Sequence, residues 1–200
     1  NYWTNLATKV AGGNPPDLIQ MDYAYITEYS NRGSLLALDD YVPDKLNVED
    51  FDESQIDSGT INGKLYGVSM GMNSVALLYN ETLLEALGLE MPDWTMTWSE
   101  YFDLAREITR KTPDNVWGAP NGMLLDVPFN CWLRQRGKSQ FTEDGKLGFE
   151  PADMEEWFTI WKDLQKEGVV PPTEVELETT GDLADSLIVK GRTAFSYSWS

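Results

Sequence analysis

At 200 residues the chain is long enough for one ample core or two small lobes, and its 42% hydrophobic and 24% charged content fit a globular protein. A formal charge of −18, from 33 acidic against 15 basic residues, repels phosphate backbones and makes nucleic acid a poor partner. A single cysteine, Cys131, excludes an internal disulfide, and the absence of histidine excludes Ser-His-Asp and Cys-His nucleophiles and the commonest zinc and iron ligand sets.

Trp3, Leu6, Ala7 and Val10 recur at helical spacing until Gly12-Gly13-Asn14-Pro15-Pro16 turns the chain. Asp17 to Met21 reads as a short buried strand, with Asp22, Tyr23 and Tyr25 where its end passes into the next helix. Open α/β sheets bind ligands at such strand ends, so these residues are candidates for a site. Ile26, Tyr29 and Ser30 carry a short helix to Gly33, with Leu35, Leu36, Leu38 and Val42 packing beyond it. Asp50 to Gln55 lacks the glycine and terminal carboxylate of a calcium loop and reads as a solvated stretch. Asn62-Gly63 marks a hairpin between Thr60-Ile61 and Lys64 to Val68.

Asn73 to Asn80 reads as a strand, followed by a helix capped by Asn80 and closed by Gly88. Thr97-Trp98-Ser99-Glu100 is a capping box, and Trp98, Tyr101, Ala105 and Ile108 form the apolar stripe of the helix it starts. Cys131 is expected to be a buried, inert thiol, and Arg134, Arg136 and Lys138 a solvated basic patch rather than a uronide site. Another helix starts with Pro151 and packs through Met154, Trp157, Phe158, Trp161 and Leu164. A last helix runs from about Asp182 to Lys190, and Thr193 to Trp199 alternates as a strand would. The chain reads as an excerpt that opens inside one helix and stops at a strand tip, with any signal peptide already removed.

No nucleotide-binding glycine pattern occurs, and Asn80-Glu81-Thr82 reads as a helix cap rather than a glycosylation acceptor. Glycoside hydrolysis needs two carboxylates, which 33 acids always supply, so that chemistry stays open. Eight tryptophans and nine tyrosines point toward sugars, whose apolar C–H faces lie on aromatic rings while their hydroxyls seek polar partners. Helical spacing assigns Trp98, Trp157, Phe158 and Trp161 to the core; Tyr23, Tyr25 and Trp199 lie at strand ends.

Six segments then appear in a familiar order: Pro16-Asp17-Leu18-Ile19; Gly33 to Leu38 with Asp39; Ile61 to Val68; Leu77-Leu78-Tyr79-Asn80; Pro92 with Thr97 to Glu100; and Lys190 to Phe195. Together they resemble the family 1 extracellular solute-binding proteins, the maltose-binding-protein-like sugar receptors of bacterial ABC importers. The resemblance implies an α/β, two-lobed periplasmic-binding-protein-like fold of class II, present as an incomplete segment. It puts a lobe boundary near Ala76, with 1–76 in the N-terminal lobe and 77–200 in the C-terminal lobe. It also implies ligand contacts from Asp22, Tyr23, Tyr25 and Asn73, and from Asp126, Phe129, Ser198 and Trp199. By the same resemblance the protein is a monomeric, non-catalytic receptor without cofactor or metal, periplasmic or a surface lipoprotein. It would close on a carbohydrate and present it to the permease subunits. A carbohydrate-active hydrolase and a polysaccharide-binding adhesion module are the alternatives.

Overall fold

Caps and apolar stripes decide where the helices begin and end in the computed structural model, which describes residues 2–142, 144–179 and 183–199. The chain divides into two units, Asn1–Met72 and Asn73–Ser200.

In the first unit, helix α1 (Tyr2–Ala11) buries Leu6, and helix α2 (Tyr23–Asn31) buries Ile26, Tyr29 and Ser30. A two-stranded hairpin follows helix α3 (Glu53–Ser58), pairing β1 (Thr60–Ile61) with β2 (Lys64–Leu65). Its turn needs two residues with positive φ, which Asn62 and Gly63 supply at 52° and 75°. Leu65 is buried, and its carbonyl accepts the Leu38 N–H at 2.7 Å.

One expectation fails here. Residues 17 to 21 form no strand, and Leu18 is 91% exposed. A strand exists only where a neighbour takes its N–H and C=O groups, and among the described residues none lies alongside this segment.

The second unit opens with strand β3 (Val75–Tyr79), which pairs antiparallel with β4 (Phe195–Trp199), Val75 opposite Trp199 and Tyr79 opposite Phe195. Helix α4 (Glu81–Leu87) is capped by Asn80, whose Oδ1 accepts the Leu83 N–H at 3.0 Å, and ends at Gly88 in the left-handed region. Helix α5 (Trp98–Lys111) carries the capping box, with Glu100 Oε2 accepting the Thr97 N–H at 2.8 Å. Its stripe of Tyr101, Phe102, Ala105 and Ile108 is buried against helix α6 (Asp126–Arg134) and helix α7 (Pro151–Lys166), which supply Phe129, Trp132 and Leu133 and Trp157, Trp161 and Leu164. The core is largely aromatic: Trp157–Trp161, Phe102–Trp161 and Tyr101–Phe195 ring centroids lie 5.4, 5.6 and 5.1 Å apart in edge-to-face arrangements. Each such pair contributes about 0.5–1.5 kcal/mol beyond its burial.

Three further expectations are corrected in this unit. Phe158 is exposed, because it sits about 100° around the helix from the buried face that Trp157, Trp161 and Leu164 define. Cys131 is exposed on α6, whose buried positions are Pro128, Phe129, Trp132 and Leu133. After helix α8 (Thr173–Leu177), the expected last helix reduces to a 3-10 turn, Leu183–Asp185, and hydrogen-bonded turns that end at Gly191; Asp182 lies outside the described residues.

Candidate functional site

Each unit presents its own group of the residues singled out in the sequence. In the first, Asp22 is the N-cap of α2, its Oδ1 accepting the Ala24 N–H at 2.8 Å. That bond fixes the helix start and leaves the rest of an exposed carboxylate open to solvent. Tyr23 follows at 76% exposure, while Tyr25 stacks at 30° on Trp3 of α1 with centroids 4.2 Å apart. Tyr2 steadies the same region by donating its hydroxyl to the Gln20 carbonyl at 2.6 Å. A carboxylate and two tyrosines thus share one helix turn.

In the second unit, the antiparallel register brings Asn73, Ser198 and Trp199 to one end of the β3–β4 ribbon, since Val75 faces Trp199 and Ala76 faces Ser198. Trp199 is 64% exposed and Asn73 is exposed, so an amide and an indole are both accessible at that end. The other end of the ribbon runs into the core at Phe195, so the strand is buried at its root and open at its tip.

Asp126 is the first residue of α6 and is exposed. Phe129, on the same helix, is a correction: at 4% exposure its ring packs on Phe149 and Trp157, with centroids 5.2 and 5.5 Å away. One helical turn separates Asp126 from Phe129, and the apolar ring takes the core side. It therefore supports the helix that carries Asp126 and presents no surface to a ligand.

The loop leading to Asp126 is fastened at successive points. Trp117 pairs with Thr193 just before β4, donating its N–H to the Arg192 carbonyl at 2.9 Å. The Ala119 N–H reaches the Val169 carbonyl at 3.3 Å. Asn121 donates its N–H to Glu176 Oε1 at 2.9 Å, and its Oδ1 accepts the Met123 N–H at 3.0 Å. The Met123 carbonyl in turn accepts the Trp157 indole N–H at 3.1 Å. Gly122 lies so close to Trp161 that a Cβ there would stand 2.4 Å from Cζ2. Burial raises the Glu176 carboxyl above the ordinary carboxylate range, and the Asn121 N–H offsets part of that effect. Sequence reasoning overlooked Glu176, one acid among many; the Asn121-Gly122 dipeptide was the available sign of a tight turn.

Arg136 and Lys138, in the turn after α6, are engaged structurally, while Arg134 at the end of the helix is exposed. Arg136 lies 3.4 Å from the Trp132 ring centroid and pairs with Glu156 at 2.7 Å. Lys138 contacts both oxygens of Asp153 at 2.6 Å, and Asp153 also accepts the Glu150 N–H at 2.8 Å. The Lys138 ammonium and the Glu150 N–H hold that carboxyl below its usual range. Among the described residues the buried Tyr101 and Tyr197 hydroxyls and the Trp161 indole N–H have no hydrogen-bond partner. Burial pushes both phenols up.

Set beside known proteins, the chain is 26% identical over 196 residues to a lactose-binding protein of Rhizobium radiobacter, covering 92% of this chain and 44% of that one. It is 25% identical over 142 residues to an arabinooligosaccharide-binding protein of Bacillus subtilis (strain 168), covering 69% of this chain and 31% of the relative. An extracellular solute-binding protein family 1 structure from Alicyclobacillus acidocaldarius superposes with a TM-score of 0.66 at 32% identity, over 99% of this chain and 49% of that one. The chain thus spans half or less of the length of these proteins, and its α/β fold is that of the corresponding part of a periplasmic-binding-protein-like receptor. The profile described as bacterial extracellular solute-binding protein matches residues 1–200, and the chain belongs to that family.

Proposed function

We propose that the complete protein is the extracytoplasmic receptor of an ABC importer, that it binds a carbohydrate without transforming it, and that Asp22, Tyr23, Tyr25, Asn73, Asp126, Ser198 and Trp199 contribute ligand contacts. The observation that carries this reading is Trp199, a large aromatic 64% exposed at the tip of a strand whose root is buried, with exposed Asn73 at the same end. A sugar suits such a pair: its C–H face covers the indole while its hydroxyls exchange hydrogen bonds with the amide. The ligands named for the two relatives, lactose and arabinooligosaccharides, support a saccharide of short chain length. The two units are read as parts of the receptor's two lobes, whose closure on the ligand gives the permease a distinct bound form to recognise.

Thermal-shift titration of the complete protein against lactose, arabinooligosaccharides and neutral monosaccharides tests this. One class should raise the melting temperature with concentration, a stabilisation of about 2.7 kcal/mol at 100 times Kd. Trp199→Ala should abolish the rise while leaving the unliganded melting temperature within a degree or so, because the ring is exposed. A flat response from folded protein across the panel, or release of new reducing ends, would refute the receptor reading.

A further inference from the structure

Glu176 is out of place for an acid in so acidic a chain. Most carboxylates here face water, whereas this one is largely withdrawn from solvent and accepts a hydrogen bond from a backbone N–H more than fifty residues earlier, at Asn121. The donor of that bond belongs to the loop whose last residue, Leu125, is the N-cap of α6 and precedes Asp126. Leu125 supplies no side-chain cap, and locally the turn is closed by its N–H donating to the Gly122 carbonyl at 3.2 Å. The same turn is also tied from behind: Glu176 holds Asn121, Asn121 Oδ1 holds the Met123 N–H, and the Met123 carbonyl holds the Trp157 indole. Asn121 Nδ2 also donates to the Pro171 carbonyl at 3.4 Å, tying the loop to the segment that leads into α8.

We propose that Glu176 is a positioning residue for the binding loop, setting the place of Asp126 through Asn121 and Met123 without touching ligand itself. The proposal rests on the reading of Asp126 as a ligand contact. With no side chain at Gly122 the loop lies flat against Trp161. Met123 packs on the core beside it, and the Glu176 carboxylate adds a polar fixed point at Asn121. Glutamine keeps an acceptor at the same reach, so the role requires the oxygen and not the charge.

The test compares Glu176→Ala and Glu176→Gln in the complete protein by hydrogen exchange and by titration with lactose. In Glu176→Ala the Asn121 and Met123 amides and the Trp157 indole N–H should exchange about tenfold faster, as expected when one partly buried hydrogen bond is lost, with the α5 and α7 amides unchanged. Lactose affinity should fall about tenfold, and Glu176→Gln should restore both readouts to within about twofold. Unchanged exchange in the loop overturns the proposal. So does acceleration spread evenly over residues 73–200, which is the mark of a merely structural role. A freed loop with unaltered lactose affinity overturns its link to the ligand. If the wild type binds no saccharide, the carbohydrate reading fails, while the exchange pattern still decides whether Glu176 positions the loop.

Discussion

Replacing Gly122 by alanine tests the packing beneath the loop that leads to α6 most directly. The added Cβ would stand 2.4, 2.8 and 2.9 Å from Trp161 Cζ2, Cη2 and Cε2. Carbon atoms rest at about 3.5–4.0 Å, so the two groups must separate by roughly 1 Å. Neither side yields readily. Trp161 is 0% exposed and wedged between the Phe102 and Trp157 rings, while the loop is tied at Asn121 and Met123. Overpacking of this kind costs about 1–3 kcal/mol. Because the overlap involves two named residues, a double-mutant cycle isolates it. Trp161→Leu alone should cost about 2–5 kcal/mol by leaving a cavity, but Gly122→Ala on that background should cost little, giving a coupling of about 1–2 kcal/mol. The assay is urea unfolding of the complete protein, read by circular dichroism for the four members of the cycle. A Gly122→Ala variant within about 0.5 kcal/mol of wild type, or a cycle additive to the same margin, would refute the steric argument.

Thr97→Ala should lower stability by about 1 kcal/mol by opening the capping box of α5, whereas Thr97→Ser should cost far less; urea midpoints distinguish them. For Glu176 the sign follows from a carboxyl raised in the folded state, whose favourable contribution is complete below the ordinary glutamate range and is lost as pH climbs through the raised value. Glu176→Gln is therefore expected to be more stable relative to wild type at pH 7 than at pH 4, as melting curves at the two pH values would reveal; a constant difference would count against burial of the charge.

The parts of the fold governed by neighbours close in sequence were legible in advance. Asn62-Gly63, the Thr97 box, the Asn80 cap and Gly88 each act within four residues, and each appears where its chemistry puts it. The misreadings arise where a distant partner decides. The segment from Asp17 to Met21 has the composition of a strand but finds no neighbour to pair with among the described residues. Phe129 and Phe158 are apolar residues on amphipathic helices, and only the direction of the assembled core sends one inward and the other to solvent. For the candidate site, Asp22 and Trp199 could be found from their places at element ends. Glu176 could not, because its significance comes from Asn121, 55 positions away.

The β3–β4 ribbon couples the architecture of the second unit to its manufacture. Tyr79 faces Phe195, and the intervening chain contains α4 through α8. At about 5–20 residues per second, a ribosome takes roughly 6–25 s to travel from one strand to the other. Throughout that interval β3 lacks β4, its partner among the described residues, while the helices meant to pack beside it can already form. The open end of the ribbon is consequently completed only once β4 has been made, and a nascent chain halted before Phe195 would carry an open strand in need of protection.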